Sequence, residues 1–287
     1  MELKFRAVFD GLDAESSRLE AYPAAQSLEG LTWALSLTVH YGVTGELRGR
    51  GDLSRSAKIL IGPPRRGSVY YDIFVVVQEN PFLAGIVGGY AANSVTPYIN
   101  GLISTTFNMT LGLAARFPRG ASRFLRRLNG DDLEDLAVRI EPPLTRAHSA
   151  IGRTASTLEF RSRRAPLVLM NQETKNFLEA ELSDDFEVID TNVTSFNLLT
   201  GNGRLYYPDT ECTVPFSLHT SPLQGAKNAL IKSMEHYAMG HEGTIRITAR
   251  RFETADQRIK KFVVNSAEDV PQVDWVGGLD PIRQRRR

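Results

Sequence analysis

Residues 69–77 read Val-Tyr-Tyr-Asp-Ile-Phe-Val-Val-Val, and residues 80–115 read NPFLAGIVGGYAANSVTPYINGLISTTFNMTLGLAA. The first run is rich in β-branched and aromatic residues, so it reads as a strand. As the most apolar strand of the chain, it is expected centrally in a sheet. The second run holds 36 consecutive residues without Asp, Glu, Lys, Arg or His. Pro81 and Pro97 divide it into two candidate helices, 82–92 and 98–115. The first contains Gly85-x-x-x-Gly89, a spacing that lets helix backbones approach closely. The second places Ile99, Leu102, Ile103, Phe107 and Leu111 on one stripe. A strand next to an uncharged helical pair points to an α/β half in which the helices shelter a sheet.

Working outward, Leu3, Phe5 and Ala7 alternate with Lys4, Arg6 and Val8, a half-buried strand that ends at Asp10-Gly11. Leu28, Leu31, Leu35 and Val39 fall at helical spacing, stopped by Gly42 and Gly45. Residues 57–61 pair with 69–77 across a Gly- and Pro-rich loop at 62–67. Helices are expected over 131–140, opened by Asn129-Gly130-Asp131, and over 144–151. Residues 161–166, where charge and proline interrupt the pattern, read as a linker between domains.

Beyond it the chain is β-rich. Strands are expected at 186–190, 193–199, 204–207, 213–216, 245–250 and 262–264, with one helix over 226–239. Asn202-Gly203 is the strongest hairpin signal, because a type I′ turn needs positive φ at both central residues. The fold class expected is α+β. It comprises an N-terminal mixed sheet packed by helices over 1–160, a small β-barrel-like domain with one helix over 166–270, and a flexible basic tail over 271–287.

Composition limits the chemistry. Apolar residues make up 42% and charged residues 23%, both ordinary for a globular chain. The net charge of +1 provides no global field toward nucleic acid or anionic lipid. Charge is nonetheless clustered. Arg116, Arg119, Arg123, Arg126 and Arg127 lie together without an acid, a candidate basic patch. Cys212 is the single cysteine, so no intrachain disulfide forms. Its position in a strand reads as a small buried hydrophobe. The N-terminus lacks the apolar stretch of a signal peptide, which makes the cytoplasm the expected location.

No catalytic constellation emerges, and no cofactor, metal or small-molecule substrate is expected. Gly85-Ile86-Val87-Gly88-Gly89 lacks the lysine and hydroxyl of a nucleotide loop. His236 and His241 are five apart, whereas a metal pair on one helical face needs three or four. Asp10, Asp13 and Glu15 cluster after the first strand, but Asp10-Gly11 is ordinary turn chemistry.

Several short stretches together resemble a family of uncharacterised bacterial two-domain proteins. They are Phe9-Asp10-Gly11-Leu12-Asp13-Ala14, Ser27-Leu28-Glu29-Gly30-Leu31, Pro63-Pro64-Arg65-Arg66-Gly67-Ser68, and Thr194-Ser195-Phe196-Asn197 with Gly203-Arg204-Leu205-Tyr206. The resemblance implies an N-terminal α/β domain, a C-terminal five-stranded barrel and an association with phage-defence neighbourhoods. It implies no catalytic residues.

The function expected first is a non-enzymatic interaction protein. It would bind a protein partner or itself, with Gly85, Gly89, Ile99, Leu102, Ile103 and Phe107 supporting helix packing or self-association. A second reading is a membrane-perturbing effector that uses residues 80–127, associating with the membrane on activation. A third is a single-stranded nucleic-acid binder with Arg204, Tyr206, Arg246 and Arg250 as contacts. Residues 171–287 hold 14 Lys and Arg against 17 Asp and Glu, so the third reading requires positive charge to be segregated on one face.

Overall fold

The computed structural model describes residues 1–48, 53, 57–63, 69–114, 120–223, 225–240 and 243–270. The expected tail at 271–287 and most of the loop at 62–67 lie outside the described residues. The chain divides into two compact units. The first is Met1–Ala180 with Thr254–Arg258, and the second is Glu181–Glu253 with the chain from Ile259 on.

In the first unit the strands are β1 (Glu2–Asp10), β2 (Ala57–Ile61), β3 (Val69–Val77), β4 (Thr157–Ser162) and β5 (Ala165–Met170). They form one sheet in the order β2-β3-β1-β4-β5. Every pairing is antiparallel, so the sheet is not mixed as expected. β3 sits between β2 and β1, an interior position that suits its apolar run. Residues 161–166 are the turn of the β4–β5 hairpin, with Arg163 at φ 54°, and no linker lies there. Charge and proline mark a hairpin turn as readily as a domain boundary.

The helices are α1 (Ala21–Thr44), α2 (Pro81–Val87), α3 (Ala92–Thr110), α4 (Ser122–Leu125), α5 (Gly130–Ala147) and α6 (Gln172–Leu178). Leu3, Phe5, Ala7 and Phe9 of β1 are buried in one core with Leu31, Leu35 and Val39 of α1. From α3, Ile99, Leu102, Ile103, Phe107 and Leu111 join that core, each fully buried. Phe107 stacks on Phe160 at 6.4 Å and Phe160 on Phe5 at 5.3 Å, which ties helix to sheet. The helix pair expected at 131–140 and 144–151 is one helix, α5, which runs through Pro142 and Pro143. Its cap is as expected: the Asn129 side chain accepts from the Asp131 N–H at 3.2 Å. Close approach of α1 and α5 depends on Gly30, where a Cβ would collide with the backbone of Pro143 and Ala147.

The second unit contains β6 (Glu181–Leu182), β7 (Glu187–Thr191), β8 (Val193–Phe196), β9 (Asn202–Tyr207), β10 (Cys212–Leu218), α7 (Ala226–Ala238), β11 (Ile245–Glu253) and β12 (Ile259–Asp269). The sheet order is β6-β11-β12-β10-β9-β8, and β7 also pairs with β11. β10 and β12 run parallel, and the other pairings are antiparallel. β7 and β8 are consecutive, and the N–H of Tyr206 donates to the Asn192 carbonyl between them at 2.9 Å. The sheet thus turns back toward itself, but no closed barrel forms among the described residues. A single helix, α7, serves this core through Leu230. Ser233 Oγ accepts from the Val193 N–H at 3.0 Å and donates to the Gly243 carbonyl.

Asn202-Gly203 does not make the turn. Both residues lie in β9, and the hairpin closes earlier, at Asn197–Gly201, with Gly201 left-handed at φ 72°. Gly203 is needed for space instead, because a Cβ there would strike the Ser195 carbonyl and the Phe216 ring.

Asp72 and His148 are two of the buried ionisable groups that shape the pH response of the first unit; burial also lowers the His40 imidazole. Asp72 is 3% exposed on the sheet face opposite the helices. Lys4 Nζ reaches it at 2.9 Å and Arg6 Nε at 3.1 Å. Arg6 also lies over the Tyr70 ring at 4.2 Å. Desolvation pushes the carboxyl up, but the hydrogen bonds and charges of Lys4 and Arg6 outweigh it and hold Asp72 below the ordinary carboxylate range. Substitution Asp72→Asn is expected to cost about 1–3 kcal/mol in a denaturant titration at pH 7. His148 is buried between the Leu144 carbonyl, which accepts from Nδ1 at 2.7 Å, and Thr174 Oγ1 at 2.8 Å from Nε2. Burial pushes its imidazole down to about 4. The unfolded chain therefore takes up the proton first as pH falls below 6.5. Stability is expected to decline by up to about 3 kcal/mol between pH 6.5 and 4, and His148→Gln is expected to flatten that slope in urea titrations across the window.

Candidate functional site

In the first unit the expected site residues serve the core. α2 ends at Val87 because Gly88 turns left-handed at φ 75°. Gly89 follows at φ 125°, outside the helix, so it never lies one turn from Gly85 on a helical face. A Cβ at either glycine would meet nothing within 4 Å. The pair therefore packs no helix within this unit among the described residues. Ile99, Leu102, Ile103 and Phe107 are core residues of the unit itself.

Several polar side chains of α3 are bonded inside that core. Ser104 Oγ donates to the Leu167 carbonyl at 3.1 Å, and Asn108 Nδ2 donates to the same carbonyl at 3.1 Å. Thr110 Oγ1 lies 2.8 Å from the Thr106 carbonyl and 3.1 Å from that of Ala137. No helix among the described residues is long and apolar enough to cross a membrane.

The described members of the expected basic patch make separate contacts. Arg116 and Arg119 lie outside the described residues. Arg123 stacks over Phe124 at 4.5 Å, and Arg126 is exposed on the turn that follows α4. Arg127 donates to the Ile86 carbonyl at 2.6 Å, which satisfies the end of α2. Of the acids after β1, Asp13 accepts from Thr154 Oγ1 at 2.9 Å, a loop-fixing bond. No group of three or more His, Cys, Asp or Glu side chains suited to a metal ion occurs among the described residues. His241 lies outside them, and His236 occupies the last turn of α7.

The second unit presents surfaces. Strand alternation sends Leu205, Phe216, Ile247, Phe262 and Val264 into its core and sends Arg204, Tyr206, Arg246, Arg250 and Lys261 to the opposite face. Arg204 donates to the Thr213 carbonyl at 2.9 Å. Arg246 grips Asp190 with two bonds, at 2.8 and 3.0 Å, and holds that carboxyl below its ordinary range. Arg250 lies over the Phe186 ring at 5.4 Å. The four expected contacts thus share one face. Arg246 and Arg250 are on β11, while Arg204 and Tyr206 are three strands away on β9, with β12 and β10 between. Cys212 is exposed at the start of β10, with Sγ 3.0 Å from Thr210 Oγ1, and is not the buried hydrophobe expected. The 3₁₀ turn Pro208–Thr210 ends the β9 pairing there, so the strand pattern opens to solvent.

A cleft of about 450 Å³ opens beside β7, lined by Glu187, Asp190, Tyr207, Asp209 and Arg246 among others. Its polar groups are already matched. Tyr207 donates to Asp209 at 2.7 Å, and burial together with that carboxylate pushes the phenol up to about 12. Glu187 lies 3.1 Å from Arg251. Chemistry at this cleft would have to break each of these bonds.

Sequence reading missed the β8–β9 loop because it continued the strand to residue 199. Asn197 Oδ1 accepts from the N–H groups of Leu199 at 2.9 Å and Thr200 at 3.2 Å. The Asn197 carbonyl accepts from Gly201 N–H at 2.8 Å, and the Asn197 N–H donates to Asn202 O at 2.8 Å. This closed turn holds Leu199 97% exposed and Leu198 55% exposed. Asn followed by Thr-Gly carries the turn signal, masked by two leucines of strand character.

Residues 5–119 match the model of a domain of unknown function (DUF7946), and residues 185–268 match that of a family of unknown function (DUF7947). No curated protein and no solved structure matches the chain. The two matches fall on the first and second units in turn, and the chain is a two-domain protein.

Proposed function

We propose that the protein is a non-enzymatic interaction protein whose second unit engages a protein partner through the Leu198–Leu199 tip. The observation that carries this reading is the 97% exposure of Leu199 in a turn fixed by four hydrogen bonds. Scattered exposed apolar residues are ordinary, but a rigid tip has already lost the conformational entropy that a flexible loop would lose on docking. A leucine side chain fully buried by a partner contributes about 1.5–3 kcal/mol. The resemblance of the short motifs to bacterial two-domain proteins supports a cytoplasmic role in anti-phage defence.

The membrane-perturbing reading has less support. It requires α3 to withdraw its fully buried apolar side chains, Ile99, Leu102, Ile103 and Phe107 among them, from the core. At about 1.5–3 kcal/mol each, that cost rivals the whole stability of a domain.

A photo-crosslinking residue at position 199 is expected to give one adduct of discrete mass in cells, and the same residue at exposed Lys227 is expected to give none. An adduct of twice the chain mass would identify the partner as a second copy. Leu199→Asp is expected to abolish capture of that partner while changing stability by less than about 0.5 kcal/mol. Absence of any specific adduct at 199, or site-dependent turnover of nucleotide, nucleic acid or peptide substrates, would overturn the proposal.

A further inference from the structure

We propose that the outer face of the second sheet binds a single-stranded polynucleotide, an activity separate from the Leu198–Leu199 tip. The net charge of this half is negative, so the face has to be read by rows across the strands. Register aligns Phe252 with Lys261, places Lys261 beside Pro215, and aligns Pro215 with Arg204. The adjacent row is Arg250, Val263, Ser217 and Asn202. Neither row contains a carboxylate. Among the described strand residues of this face, the acids lie toward its other end, where Asp190 is held by Arg246 and Glu268 stands opposite Arg246. Asp184 and Asp185 precede Phe186 in the turn after β6 and bound the face on that side.

The rows therefore form a positive band from β11 to β9, three strand spacings or about 14 Å across. Among the described residues, the Arg250 guanidinium has no carboxylate partner. It lies over Phe186, which is 56% exposed, and its buried Nε makes no hydrogen bond. Lys261 Nζ lies 4.9 Å from the Phe252 ring centre, and Tyr206 adjoins Arg204 on the same face of β9.

Cations at intervals, each beside an aromatic ring, suit a flexible polyanion that carries its own π-faces. Phosphates pair with the cations while bases stack on the rings, without a requirement for sequence. An acidic protein would use the charge and leave the aromatics idle. A duplex hides its base faces and would gain nothing from Phe186, Phe252 or Tyr206.

The test is fluorescence anisotropy on the full chain with labelled oligothymidylate, in which Arg283, Arg285, Arg286 and Arg287 are each replaced by Gln so that the tail cannot supply the charge. Binding is expected to weaken with salt at a log–log slope near about −2, for about three phosphates neutralised on a single strand. Arg250→Glu and Lys261→Glu are each expected to flatten that slope, whereas Arg250→Lys should retain it. Tyr206→Ala is expected to weaken binding about tenfold at unchanged slope. Leu199→Asp should change nothing, so failure here and failure of the partner reading are separable. Absence of binding at low salt would overturn the proposal. Indifference to Arg250→Glu in a variant with unchanged thermal midpoint would do the same. Equal affinity for duplex DNA or for polyglutamate, with no effect of Tyr206→Ala, would make this a general polyanion face and sink the polynucleotide reading.

Discussion

The first unit depends on one constraint: α3 must be buried without an ion in it. A helix pressed against a sheet can carry apolar side chains cheaply, but its hydroxyls and amides each need a partner once water is excluded. Ser104 and Asn108 find the Leu167 carbonyl, Thr110 finds Ala137, and Asn100 donates to Ser162 Oγ at 3.1 Å. These bonds fix the height and rotation of the helix over β4 and β5. The stack of Phe107, Phe160 and Phe5 then follows from that placement. Thr105 Oγ1 and Thr38 Oγ1 remain buried without a hydrogen-bond partner in this core.

Much of the first unit was legible because its periodicities are strong. β1 alternates cleanly, α1 keeps a helical stripe, and the apolar run of β3 allows only an interior strand. The α3 stripe was read correctly as one face, and its polar residues, which look like an argument against burial, turn out to be the bonds that permit it. The misreadings share a physical cause: the same residue type serves several backbone roles. Gly85 and Gly89 have a packing spacing, yet Gly88 between them ends the helix. Gly30, which no packing spacing marks, is where two helix backbones actually approach. Asn202-Gly203 has the composition of a tight turn, but the side chain of Asn197 closes the loop five residues earlier.

The surfaces were legible only in part, because composition averages over faces. A net charge of −3 for the C-terminal half describes no face of it. Strand parity sends Arg204, Arg250 and Lys261 outward together, while many of the acids are held in local pairs, as at Asp190 with Arg246 and Asp269 with Lys232. Sequence could list those cations, but only register could align them.

The bonds that anchor α3 have one more effect. β5 lies at an edge of its sheet, where open backbone groups invite a strand from another molecule. Pro166 has no N–H to offer, and the Leu167 carbonyl is already held by Ser104 and Asn108. A neighbouring chain arriving at that border meets a position with nothing to donate and an acceptor already engaged. Leu169, 45% exposed, lies on this edge beside those two protected positions. The contact that buries the helix also takes one acceptor away from the sheet's open border.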